Sequence, residues 1–139
     1  MNRKFLKFEI DLDFVVIAVT TSQKDYRICY LINKFLSFNF VKIPDLEVDI
    51  AQSMRPVLFS IYHYSWEATE TDFYFIANKG SEGYLIPEIS KADYFLIIKN
   101  YIDDNELDTL ISALNKIPEI VAAVKIDPKK IKSRENLLF

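Results

Sequence analysis

Apolar and polar residues alternate up to Phe14, with Phe8, Ile10, Leu12 and Phe14 on one side and Lys7, Glu9, Asp11 and Asp13 on the other. A period of two sends successive side chains to opposite faces, so residues 5–14 predict a half-buried strand. The β-branched run Phe14-Val15-Val16-Ile17-Ala18-Val19 either prolongs that strand or bends it toward a first helix. Ser22 and Asp25 stand where a capping box would open the helix, which the spacing carries to about Leu36. Ile28, Leu31, Ile32, Phe35 and Leu36 recur every three or four residues and predict its buried stripe, with Arg27 and Lys34 outside it.

Further along, Phe38 to Ile43 predicts a short strand closed by Pro44-Asp45, because proline supplies no ladder donor, and residues 44–54 read as loop. Strands at Val57–Tyr64 and Asp72–Ala77, joined through Ser65 to Thr71, predict an antiparallel meander. Both glycines, Gly80 and Gly83, fall within Asn78-Lys79-Gly80-Ser81-Glu82-Gly83, which predicts a tight turn. Asp93 to Ile98 gives another strand. Asp103 and Glu106 open a second helix with the stripe Leu107, Leu110, Ile111, Leu114 and Ile117, closed by Pro118. Ile120 to Ile126 is the last strand, so residues 93–126 form a βαβ unit with parallel strands.

Two helices with one apolar stripe each suit packing on one face of a sheet. The expected fold class is α+β: a mainly antiparallel sheet with two main helices on one face, ferredoxin-like in its C-terminal half. The expected domain organisation is a single α+β domain at residues 1–126, then a basic C-terminal tail at 127–139 with an apolar tip. That tail carries Lys129, Lys130, Lys132 and Arg134 before Leu137-Leu138-Phe139, and the preferred reading of this apolar tip is that it folds back on its own sheet or on a dimer partner, with docking on another protein as the alternative.

Composition narrows the chemistry. Of 139 residues, 50% are hydrophobic and 14% aromatic, which marks a folded core. Two glycines leave no material for a glycine-rich phosphate loop, and a net charge of -3 gives the domain body no general attraction to nucleic acid. Acidic residues at Glu9, Asp11 and Asp13 break what a signal peptide would keep apolar, and the uncharged run Phe14 to Thr20 is far below the ~20 residues that span a bilayer. The expected location is the cytoplasm, with no membrane partner.

One histidine and one cysteine without paired spacing do not make an ordinary zinc site, and no cofactor is expected. His63 lies in the strand Tyr62-His63-Tyr64, remote from any nucleophile-elbow pattern, and reads as a cross-strand aromatic. Cys29 on the apolar helix reads as a small core residue. Tyr62, Tyr64 and Trp66 share one strand face, a core surface or an exposed aromatic patch according to what covers it.

The densest polar punctuation inside apolar sequence is Tyr84-Leu85-Ile86-Pro87-Glu88-Ile89-Ser90-Lys91-Ala92-Asp93-Tyr94. Ile86-Pro87-Glu88, three further residues and then Ala92-Asp93-Tyr94 resemble the motif that names the IPExxxVDY family of small bacterial proteins, with Ala92 in place of valine. The similarity extends to Lys24-Asp25-Tyr26-Arg27, to Ile76-Ala77-Asn78-Lys79 and to Lys132–Phe139. It implies a cytosolic protein of Bacteroidetes type and brings no assigned activity, so no catalytic residue follows from it.

Two function classes remain. The first is a non-catalytic protein-interaction or binding module, with a protein partner or a second copy docking on the sheet face and on Leu137, Leu138 and Phe139. The second is a small enzyme or anionic-metabolite-binding protein with a pocket of Tyr26, Arg27, Glu88, Asp93 and Tyr94. There Glu88 and Asp93 would supply paired carboxylates and Arg27 a bidentate cation. An internal Arg27–Glu88 pair that locks the first helix to the Pro87 turn competes with that pocket. Nucleic-acid contact through the basic tail ranks third.

Overall fold

A computed structural model describes residues 14–50 and 53–139. The strand predicted over residues 5–14 therefore lies outside the described residues apart from Phe14. The elements in order are β1 (Phe14–Thr21), α1 (Asp25–Leu36), β2 (Val41–Val48), β3 (Val57–Trp66), β4 (Thr71–Ala77), the two-residue strands β5 (Lys79–Gly80) and β6 (Gly83–Tyr84), β7 (Tyr94–Lys99), α2 (Asp104–Asn115) and β8 (Ile120–Ile126). Short 3-10 turns cover Pro87–Ile89, Pro128–Lys130 and Arg134–Leu137.

Six strands form one antiparallel sheet in the order β2-β3-β4-β7-β1-β8. β7 and β8 run in the same direction, as the βαβ reading requires, but β1 lies between them and pairs antiparallel with both. β1, α1, β4, β7, α2 and β8 thus make a ferredoxin-like β-α-β-β-α-β arrangement that draws on both halves of the chain. The β2–β3 hairpin is inserted after α1 and widens the sheet beyond β4.

Central β7 decides where the two cores lie. Tyr94, Leu96 and Ile98 face the helices and pack with Ile28, Leu31, Ile32, Leu107, Leu110 and Leu114. Phe95 and Ile97 face the other way, against Leu85, Ile86, Ala92, Ile131 and Leu137. Phe95, Leu96, Ile97 and Ile98 are all buried, and each such side chain contributes about 1.5–3 kcal/mol relative to exposure. Both helices sit on one face, as expected. The opposite face is roofed by irregular chain, the 85–92 segment and the tail.

Several local expectations change. α1 starts at Asp25 without a side-chain cap from Lys24. The Asp25 carboxylate instead accepts hydrogen bonds from the Tyr26 N–H and the Ser60 hydroxyl, so no capping box forms. Phe35 leaves the stripe and is exposed, while Cys29 joins the buried side. Pro44 lies within β2 rather than ending it; β2 is an edge strand whose register shifts between Ile43 and Leu46, and an edge or a bulge is where proline is tolerated. α2 follows expectation: the Asp103 side chain caps the Asn105 N–H at 3.0 Å, and Leu107, Leu110 and Leu114 are buried.

Residues 127–139 pack against the sheet, so the apolar tip folds back on the chain's own sheet. Ile131 is 1% exposed and Leu137 0%. The Asn136 amide donates to the Leu85 carbonyl at 2.8 Å. Leu137→Ala is expected to lower unfolding stability by about 2–5 kcal/mol, the range for emptying a core leucine site. Urea unfolding measures this, and a free tether would give no change.

Candidate functional site

The Pro87 turn is placed by one side chain. Asn78, at the end of β4, is buried, and its Nδ2 donates to the Ile89 and Ala92 carbonyls at 3.0 and 2.9 Å. Its Oδ1 accepts from the Ile86 N–H at 2.8 Å. The Asn78 backbone adds two bonds, its N–H to the Asp93 carbonyl and its carbonyl to the Leu85 N–H. A buried amide with both ends satisfied holds residues 85–93 in a single path. The β5–β6 hairpin before it lies close on β3: a Cβ on Gly80 would come within 2.6 Å of the Phe59 ring and 2.7 Å of the Leu58 carbonyl oxygen.

This path separates the five residues expected to line one pocket. Glu88 belongs to the segment on the tail side of the sheet and accepts from the Ser133 N–H at 2.7 Å and the Ser133 hydroxyl at 2.9 Å. Arg27 is on α1, across the sheet, with its guanidinium 5.5 Å from the Tyr30 ring centre. The Arg27–Glu88 pair therefore does not form, because the sheet lies between the two segments. Tyr26 is exposed on α1. Asp93 ties down the end of β1: its Oδ2 accepts from the Thr21 N–H, and its own N–H donates to the Val19 carbonyl, both at 2.9 Å. Tyr94 is buried under the helices, stacked on Phe75 at 4.9 Å with its hydroxyl donating to the Gln23 carbonyl at 2.8 Å. Burial, reinforced by the charge of Asp25, pushes the Tyr94 hydroxyl well above the usual phenol range.

Glu88 and Asp93 thus serve different partners and do not form an acid–base pair. Partial burial pushes the Glu88 carboxyl up, but hydrogen bonds from the Ser133 N–H, its own N–H, the Ser133 hydroxyl and the Lys132 N–H outweigh it, and the net shift is downward. A general acid needs the reverse. Burial, with Asp25 adding to it, raises the Cys29 thiol far above the range of a reactive thiolate. Among the described residues, no cluster of three or more His, Cys, Asp or Glu side chains is arranged to hold a metal ion. No helix among them is long and apolar enough to cross a membrane.

Tyr62, Tyr64 and Trp66 face the helix side and are half-buried. Phe38 packs on Tyr64 at 4.7 Å and on Phe73 at 5.2 Å, so the aromatic patch is largely covered by the chain that follows α1. His63 turns to the tail side, where its Nε2 meets Asp72 Oδ1 at 2.8 Å and its ring lies 4.9 Å from that of Tyr74. Leu137 is buried, whereas Leu138 and Phe139 are each 41% exposed.

The concavity suited to a ligand was missed by sequence reasoning. A groove of about 420 Å³ opens between the end of α1 and the first turns of α2, lined by Phe35, Leu36, Phe38, Trp66, Asn105, Glu106, Thr109, Leu110 and Ala113. Its volume falls within the ~300–1,000 Å³ of small-ligand sites. The sequence signal was Phe35, apolar at a position that turns out to be exposed. The first half of α2 contributes Asp103, Asp104, Glu106 and Asp108, and among the described residues none of these carboxylates forms an ion pair.

Comparison of the chain with protein-family models, with curated proteins and with solved structures finds no match.

Two measurements follow from the site. Asn78→Ala leaves the Ile86 N–H and two carbonyls without their partner and is expected to cost about 3 kcal/mol, read by urea unfolding. For Glu88, the folded pKa is depressed, so its contribution is present above the ordinary glutamate value of 4.5 and is lost as pH falls through the lower folded value. The stability gap between wild type and Glu88→Gln should accordingly shrink as pH falls below 4.5. A gap unchanged down to acid unfolding contradicts the assignment.

Proposed function

We propose that this protein is a non-catalytic binding module whose α1–α2 groove accepts an apolar side chain from a cationic peptide segment of a protein partner. The observation that carries the reading is an apolar floor of Leu36, Phe38, Trp66 and Leu110 beside carboxylates of α2 that form no ion pair among the described residues. Apolar contact would supply most of the affinity, and the acidic helix start would favour lysine or arginine flanking the inserted side chain. Among the described residues, no acid–base pair or reactive thiol lines the groove, which is why we favour binding over catalysis. The resemblance to the IPExxxVDY family extends the proposal to a bacterial cytosolic protein and adds no activity to it.

Trp66, the single tryptophan, lines the groove and reports on its occupancy. Titration with a Lys-Lys-Phe-Leu-Lys-Lys peptide is expected to shift Trp66 emission to the blue with saturation. Raising salt should weaken binding, as expected for solvent-exposed charges. Ala113→Phe, which fills the groove from α2, should lower affinity at least tenfold while leaving the circular dichroism spectrum unchanged. An unaltered emission in wild type, or equal binding by the filled variant, would overturn the proposal.

A further inference from the structure

The two helices that wall the groove present opposite charges to solvent. On α1, Arg27 and Lys34 are exposed and form no ion pair among the described residues. The one carboxylate of α1, Asp25, is turned to the sheet, where it accepts from the Ser60 hydroxyl. On α2 the exposed Asp104 and Asp108 stand one turn apart on the same face, and Glu106 lines the groove. α1 also leaves three large rings in contact with water: Tyr26 is 64% exposed, Tyr30 53% and Phe35 54%. Tyrosine, arginine and phenylalanine are side chains that protein interfaces concentrate. Within Lys34-Phe35 an exposed ring adjoins a cation, which is the kind of occupant the groove calls for.

β1 and β7 run in opposite directions and each leads into its helix, so α1 and α2 lie antiparallel, with the end of α1 beside the first turns of α2. That layout makes the helix layer complementary to itself. A twofold axis running along the groove would lay α1 of one copy over α2 of the other, with each Lys34 above the opposing Asp104 and Asp108. The two Phe35 rings would then meet at the groove, each closing the other copy's opening. A twofold axis across the helices would instead stack α1 on α1 and set Arg27 against Lys34, so charge selects the first arrangement. We propose that the occupant of the groove is a second copy of this chain, which docks its α1 face on α2 and its Phe35 at the groove in a closed, symmetric dimer. The inference rests on the groove being a binding site and names its partner.

Sedimentation equilibrium of the full chain at low salt, over a hundredfold range of concentration, should show a reversible monomer–dimer equilibrium that weakens as salt is raised. Lys34→Glu and Asp108→Lys should each weaken association at least tenfold. Both changes in one chain should restore most of it, since each copy then meets the opposite charge again. Phe35→Ser should also weaken association at least tenfold. All three side chains are exposed, so urea unfolding should stay near wild type, and restoration by the second charge change is a readout that a folding defect would not give. Saturating Lys-Lys-Phe-Leu-Lys-Lys peptide should dissociate the dimer. A monomer at every concentration that still binds this peptide would overturn the inference and leave the groove reading intact, with a different protein as occupant. A monomer that ignores the peptide would overturn both. A dimer indifferent to Lys34→Glu, Asp108→Lys and Phe35→Ser would place the interface elsewhere and overturn the inference as well.

Discussion

The tail side of this protein depends on the buried amide of Asn78. A chain that crosses a sheet without being a strand or a helix brings peptide groups into contact with apolar side chains, and each unpaired group there is costly. Residues 85–93 make such a crossing, with Leu85, Ile86 and Ala92 buried against the sheet. Asn78 supplies two donors and one acceptor at the centre of the bend. Aspartate lacks the donors, and glutamine would carry the same amide one methylene farther into a packed interior.

Other contacts are built outward from that bend. The Leu85 carbonyl receives Asn136, and Glu88, turned outward by the Pro87 turn, receives Ser133. The tail is thus secured to a segment that is itself secured to Asn78, and its apolar anchors Ile131 and Leu137 complete the core under Phe95 and Ile97. The helix side needs no such device. Helices satisfy their own backbone, so α1 and α2 cover their face with apolar stripes alone. One fold therefore uses two means of covering a sheet, and the motif Ile86-Pro87-Glu88 belongs to the more demanding one.

This difference explains what was legible in the sequence. α2, β4, β7 and β8 were read within a residue or two because periodicity is a local property and their burial follows it. The α+β class and the common face of the helices came from the same signal. The position of β1 between β7 and β8 did not, because strand order is set by long-range packing. Pro44 was misread as a terminator since nothing local marks β2 as an edge strand. Arg27 and Glu88 were joined as complementary charges, yet no pattern along a chain reveals that a sheet will stand between them. Asn78 was noticed beside the glycine turn, but its burial depends on partners as distant along the chain as Ala92 and Asp93. The groove escaped for a similar reason: its walls come from α1, β3 and α2, and only Phe35 broke its local pattern.

The tail also shows how one segment can be fully buried at one residue and half exposed two residues later. Burial is cooperative where neighbours share it, and Leu137 sits among side chains that would all lose contacts if it left. Phe139 touches chiefly Tyr74 and Lys99 at the rim, where water can replace much of what is lost. Opening at the half-exposed Phe139 should therefore cost less than opening at the buried Leu137, since opening free energies rise from exposed positions toward the core.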